Sequence, residues 1–398
     1  MRINKKIKDI ILNIFASGVM TAALQLIVYP LLGAHFSAAD YGQILTVMGI
    51  CNIFSSAFGN GLNNTRLVCN SEYSARSLVG DFNTLSLVSL LVAFLSSAVA
   101  TFAITCSPLA AVLIGFSTLF AIVKAYYSVA FRLRLDYRRV LLCNLFCAIG
   151  YTAGALLVRV GAPWPTAFLL GELAGSVYAL YFSRFLDEGF GKTGLFCTTL
   201  RTYLLLLAGI LVGSIATYMD RLFLHPIMGS SAVSVYSVAA VVGKCVSIVM
   251  LPISGVLLSY FAQDSYVMTR AKFYRQSLVM IVLAALMTLA LIPFSPFVTR
   301  FLYPTLFVQA QQYIVIANTA AVISVLSNML APAILKFVES YWQVVIAGVY
   351  CLVYFVLGLV FIRHGGLWGF CWSALLANCC RCVFYLLLGA RIRAPETT

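Results

Sequence analysis

The chain has 398 residues, of which 62% are hydrophobic and only 10% charged, with a mean hydropathy of +0.99. A soluble globular domain is about half apolar and about one quarter charged, so composition excludes that class. The formal net charge of +14 is of the size carried by nucleic-acid binders, but its placement along the chain excludes that reading as well.

A bilayer core of about 30 Å takes about 20 helical residues to cross. On that scale twelve apolar stretches follow one another with only short joints. The first six lie near 10–30, 42–62, 80–105, 109–131, 139–160 and 165–185. The second six lie near 201–222, 232–262, 276–300, 308–335, 340–362 and 366–390. Lipid offers no partner to a backbone N–H or C=O, and the stretches lack the alternation of a β-barrel, so each is expected to be a helix. The basic N-terminus, MRINKKIKD, precedes a run too long for a signal-peptide core and without a small-residue cleavage site. It reads as a retained first helix.

Of the 26 Lys and Arg residues, nineteen fall in joints on the side of the N-terminus and four (Arg159, Arg221, Arg300, Arg363) on the other. The remaining three, 26 − 19 − 4, are Lys124, Lys244 and Arg381, inside spans. This bias places both termini in the cytoplasm, with the chain in a bacterial inner membrane. It also makes most of the basic charge a matter of topology. Most of the twelve cysteines lie in spans, where they act as small hydrophobes, and Cys371, Cys379, Cys380 and Cys382 lack paired metal-ligand spacing.

The polar joint at 186–202 divides the spans six and six, giving an N-terminal lobe over 1–190 and a C-terminal lobe over 191–398. The halves share faint likenesses. Tyr29 to Gly42 and His225 to Ser237 both read P-x-x-G followed by a tyrosine, and RVGAPW at Arg159–Trp164 matches RHGGLW at Arg363–Trp368. A six-span shift preserves direction, so such a repeat is parallel, with binding expected between the halves.

Several residues carry a resemblance. They are Asp40-Tyr41-Gly42, Gly61-Leu62 with Arg66, and Arg132-x-Arg134-x-Asp136-Tyr137. Tyr218 to Arg221, Pro226, Gly229, Tyr236, Ser237 and Pro252 continue the pattern. Over essentially its whole length the chain resembles the polysaccharide transporter (Wzx-type) flippases of the multidrug/oligosaccharidyl-lipid/polysaccharide exporter superfamily. The resemblance implies an all-α polytopic fold like that of the multidrug and toxin extrusion transporters. It implies a non-enzymatic flippase that moves undecaprenyl-pyrophosphate-linked oligosaccharide to the outer leaflet for O-antigen, capsule or exopolysaccharide. The implied partners are that lipid-linked oligosaccharide, membrane lipids and other polysaccharide assembly proteins. No cofactor is implied, and coupling to H⁺ or Na⁺ stays open. Lipid II flippases usually carry fourteen spans, which counts against that branch.

Charged groups within spans cost about 2.5–3.5 kcal/mol each on insertion scales and usually face a cavity or a partner. Lys244 lies roughly 18 Å from the outer end of its span at 1.5 Å per residue, either in a cavity or in a salt bridge. Arg381 and Lys124, roughly 13 and 10 Å from the inner ends, either line a path or reach for headgroups. Glu172 is the one acid deep in a span; it either pairs with a cation or binds a coupling ion. Asp220, at the outer end of span seven, reads as a structural or gate residue before a coupling one. Arg66, beside Asn60, Asn63 and Asn64, has a fork of donors suited to pyrophosphate, or is a plain inside charge. Asn13, Gln25 and Asn52 give the first two spans a polar face. Three deep cations against one acid favour an anionic passenger. The alternatives are a cation-coupled drug or small-solute antiporter of the same superfamily, and a membrane polysaccharide polymerase or ligase. The enzyme reading lacks a sizeable outer loop, and His35, His225 and His364 have no matching acid or nucleophile nearby in sequence.

Overall fold

The computed structural model describes residues 18–134, 136–248, 250, 268–338 and 341–392, with the side chain of residue 186 left undescribed. Asn13, the basic residues 2–8, Pro252 and Arg393 lie outside the described residues. Those described are almost entirely helical, with no strand among them. The chain forms two compact units, Met1–His35 with Gln43–Tyr218, and Phe36–Gly42 with Met219–Thr398.

In the first unit, α1 (Gly18–His35) contains a widened π turn at Leu24–Val28, just before Pro30. Proline has no N–H to complete the ladder, and the wider turn absorbs the mismatch. Helix α2 (Ala38–Arg76) has 39 residues, about 58 Å at 1.5 Å per residue, and so projects beyond a hydrocarbon core. Its own π turn, Ser56–Asn60, holds Gly59, where an added Cβ would lie 2.8 Å from Ala125 Cβ. The close approach lets Asn63 donate to the Ala125 carbonyl at 2.7 Å. Helices α3 (Asp81–Thr105), α4 (Pro108–Leu133), α5 (Tyr137–Arg159), α6 (Thr166–Ser183) and α7 (Phe196–Thr217) complete the unit.

Local chemistry sets these ends. Ser107 caps α4 ahead of Pro108, accepting from Ala110 N at 3.3 Å, and Asp136 caps α5, accepting from Arg139 N at 3.2 Å. Arg134 donates to the Ser183 carbonyl at 2.9 Å and so covers the end of α6. The Arg132–Tyr137 motif is thus a double capping device. Gly154 lets α5 meet α6, since a Cβ there would lie 2.8 Å from Ala167 Cα; small residues allow such backbone approach in lipid.

In the second unit, α8 (Met219–Met228) and α9 (Ser230–Ala239) flank Gly229, whose φ of +81° only glycine adopts readily. Helix α10 (Val241–Ile248) leaves α9 at a bend of 61°. Helices α11 (Arg270–Leu302), α12 (Phe307–Phe337) and α13 (Tyr341–Gly389) follow. Leu278, Leu286, Leu289, Phe294 and Phe297 of α11 are exposed, a face built for hydrocarbon. The Asp40-Tyr41-Gly42 segment belongs here: Gly42 leaves room for the Ser230 backbone, and Tyr41 OH donates to Tyr303 OH at 3.3 Å.

Nine helices among the described residues are long and apolar enough to cross a membrane, ten if α9 and α10 form one bent span. The count differs from the twelve expected for identifiable reasons. Helix α13 has 49 residues and covers both expected spans at 340–362 and 366–390. It breaks at Gly366 (φ 53°, ψ −131°), inside the RHGGLW segment. Helix α6 is present but is not among the nine, and it carries Glu172. The expected span at 201–222 is divided at Tyr218 between the two units.

Candidate functional site: two buried lysine–carboxylate pairs

Helices α4, α5 and α6 of the first unit bring Lys124 and Glu172 together. Lys124 Nζ lies 2.6 Å from Glu172 Oε2, with the two side chains only 12% and 13% exposed. Tyr151 OH donates to the other oxygen, Oε1, and Met20 Sδ stands 3.3 Å from the ammonium. Gly175 makes room for the lysine: a Cβ there would meet Cys147 Sγ and lie 2.9 Å from Lys124 Cδ. The site is shaped around a resident cation.

The second unit holds a comparable pair. Lys244 Nζ of α10 donates to Asp220 Oδ2 of α8 at 2.8 Å, with side chains 29% and 12% exposed. Asp220 Oδ1 accepts from Arg221 N at 2.9 Å in the first turn of α8, where the helix dipole favours an anion. The ammonium stands 5.6 Å from the Tyr236 ring centroid, within cation–π range. Asp220, read from the sequence as a structural or gate residue at a span end and as a candidate for ion coupling or charge pairing, is the counter-ion of Lys244. Sequence reasoning weighed a salt bridge for Lys244 but not this partner.

Arg381 is held differently. Its Nη2 donates to Asn328 Oδ1 at 3.0 Å, and its guanidinium carbon lies 5.2 and 5.8 Å from the Tyr350 and Tyr385 ring centroids. No carboxylate lies within ion-pair distance of it among the described residues, and its Nε is buried without an acceptor. The aromatic wall continues through Tyr354, Phe370 and Tyr236, with centroids 5.6 Å from Tyr350 to Tyr354, 5.7 Å on to Phe370 and 4.9 Å on to Tyr236. Arg381 and the Lys244–Asp220 pair thus belong to one unit whose interior is lined with buried tyrosines.

Arg66 already holds an anion. Its Nη1 and Nη2 donate to Glu188 Oε2 and Oε1 at 2.8 and 2.6 Å, a bidentate fork. The guanidinium is sandwiched between Phe82 and Phe185, 4.5 and 4.7 Å from their centroids. Glu188 sits in the polar joint, 122 residues away, and no local pattern announces it. The surplus of three deep cations over one acid thus shrinks once Asp220 is included, and among the described residues Arg381 remains as the deep cation without an acid.

No protein-family model matches the chain, and no curated protein sequence does. Solved structures do. The lipid II flippase MurJ, in an inward closed conformation, aligns at TM-score 0.70 and 14% identity over 97% of this chain and 86% of its own. A transporter of the MOP superfamily from Pyrococcus furiosus, described as having a binding pocket of reversed polarity that suggests a different function, aligns at 0.68 and 11% over 98% and 97%. An inward-facing multidrug resistance MATE family transporter of the same superfamily aligns at 0.66 and 12% over 96% and 93%. At these identities the likeness is one of fold. The chain has the all-helical, multi-span fold of the MATE and MurJ transporters.

Proposed function

We propose that the protein is a transporter that flips an undecaprenyl-pyrophosphate-linked oligosaccharide across the bacterial inner membrane by alternating access. The observation that carries this reading is Arg381, a deep arginine with no acid partner among the described residues, set against buried Tyr350 and Tyr385. Arginine forks suit phosphate oxygens, and tyrosines offer apolar faces with polar tips to sugar rings. Lys244, held by Asp220 but still 29% exposed, is the second phosphate contact in this reading, and Lys124 and Arg66 are further ones once released by their carboxylates. The whole-chain resemblance and the MurJ-like fold agree with it.

The test is export of the oligosaccharide by cells that depend on this protein. Arg381→Ala is expected to abolish export at normal protein level, and Arg381→Lys to retain part of it. Full export by Arg381→Ala would remove the main support.

A cation-coupled drug antiporter is the second reading, favoured by the MATE likeness and by the buried acids Glu172 and Asp220. Each of those acids is already neutralised by a lysine, which is why the anionic passenger is preferred. In this reading the protein acts without chemistry on its passenger, unlike a polymerase or ligase.

A further inference from the structure

The polar joint at 186–202, with Gly189, Gly191 and Gly194, reads in the sequence as the interruption that divides the spans six and six. In the structure it is fastened along its length to the first unit. Glu188 grips Arg66 of α2 through two hydrogen bonds. Asn83 Nδ2 of α3 donates to the Phe185 and Gly189 carbonyls, both at 2.9 Å. Thr84 Oγ1 donates to the Gly191 carbonyl at 2.8 Å, and Gly191 N donates to Thr84 Oγ1 at 3.1 Å. Asp81 accepts from Thr193 N, from Thr193 Oγ1 and from Tyr73 OH, each at 2.6 Å.

The fastening continues into α7. Tyr73 OH lies 2.7 Å from Thr199 Oγ1, and Ser89 Oγ lies 2.7 Å from Tyr203 OH. Gly61 of α2 faces Leu207 so closely that a Cβ would lie 3.6 Å from Leu207 Cβ. Tyr73, Asp81, Asn83, Thr199 and Tyr203 are all buried. Peeling the joint and α7 from the first unit would strip the buried Asp81 carboxylate of its two Thr193 donors and leave Arg66 without its acid, both costly in a dry setting.

The far end of α7 differs. Tyr218 leaves helical geometry (φ −103°, ψ 14°), and α8 begins at the next residue, in the second unit. There Phe223 packs on Phe355 and Phe370, with centroids 5.5 and 6.0 Å away. Motions between domains are absorbed by a few element-terminal residues that change φ and ψ.

We propose that residues 184–195 form a strap and not a hinge: α7 travels with the first unit, and the chain flexes at Tyr218. Along the path from α7 to α8 the mobile boundary then falls at Tyr218, beyond the polar joint.

Pulsed dipolar spectroscopy on nanodisc-embedded protein tests this, with spin labels on p-acetylphenylalanine at exposed Val68, Leu205 and Ile227. The Val68–Leu205 pair is expected to give one narrow distance, unchanged when undecaprenyl pyrophosphate is added. The Leu205–Ile227 pair, across Tyr218, is expected to give a broad or two-peaked distribution. A Val68–Leu205 distance that splits or shifts, or a single narrow Leu205–Ile227 distance, overturns the proposal. A second variant pairs Gly61→Cys with Leu207→Cys, whose Cβ spacing suits a disulfide; its oxidised form is expected to keep the Leu205–Ile227 distribution, and its collapse to one peak counts against the strap. These distances are read without any transport, so the result is independent of what the protein carries.

Discussion

Replacing Lys124 with methionine keeps the length of the side chain and removes its charge. Glu172 is then left 13% exposed, with Tyr151 OH as its remaining donor. Removing one partner of a buried ion pair costs about 3–5 kcal/mol. The retained tyrosine contact argues for the lower end, about 3 kcal/mol. A unit of this size loses about 2–4 °C of melting temperature per kcal/mol, so a fall of about 6–12 °C is expected. The double variant Lys124→Met with Glu172→Gln removes both charges while leaving an acceptor for Tyr151. It is expected to recover most of the loss, with a coupling of about 2 kcal/mol. Thermal unfolding in nanodiscs followed by tryptophan emission reads this directly, because Trp164 packs on Phe168 of α6 in the same unit, 6.2 Å between centroids. A melting temperature for the single variant within about 1 °C of the parent would refute the claim that the pair is desolvated and shaped around the lysine. A double variant less stable than either single one would refute it equally.

Two further outcomes follow from the same physical reasoning. Asp220→Asn is expected to destabilise less than Lys124→Met does, by about 1–3 kcal/mol, because Lys244 is 29% exposed and regains water when its partner is lost; chemical denaturation of the two variants side by side checks the order. Gly366→Ala forces a side chain into φ 53°, ψ −131°, a region open essentially to glycine, at about 1–3 kcal/mol. Its melting temperature should fall, while Gly365→Ala, where an added Cβ meets nothing within 4 Å, should change little.

Much of the fold was legible because the bilayer imposes a length. The runs at 80–105, 109–131 and 139–160 became α3, α4 and α5 with small changes at the ends. The RHGGLW segment marked where α13 breaks, since its second glycine is the one residue there that adopts positive φ. The candidate site was less legible. Depth was counted along a straight span over 232–262, but the chain turns by 61° between α9 and α10. Lys244 therefore points to a partner that linear counting kept at a span end. The fork of Arg66 was read as suited to a pyrophosphate or as a plain inside charge, and the anion it holds is the chain's own Glu188, supplied by the polar joint. Long-range partners of this kind leave no trace in local periodicity, because nothing in a neighbourhood of residues encodes a contact 122 positions away.

The central claim is that the passenger is an anionic lipid-linked oligosaccharide. Its most direct test is the purified protein in proteoliposomes loaded with a fluorescently tagged undecaprenyl-pyrophosphate oligosaccharide, with leaflet exchange read by quenching from outside. Protein-dependent exchange that is lost in Arg381→Ala, together with no movement of a cationic dye, is the predicted result. Dye movement that depends on Glu172, with no exchange of the lipid-linked sugar, would contradict the account.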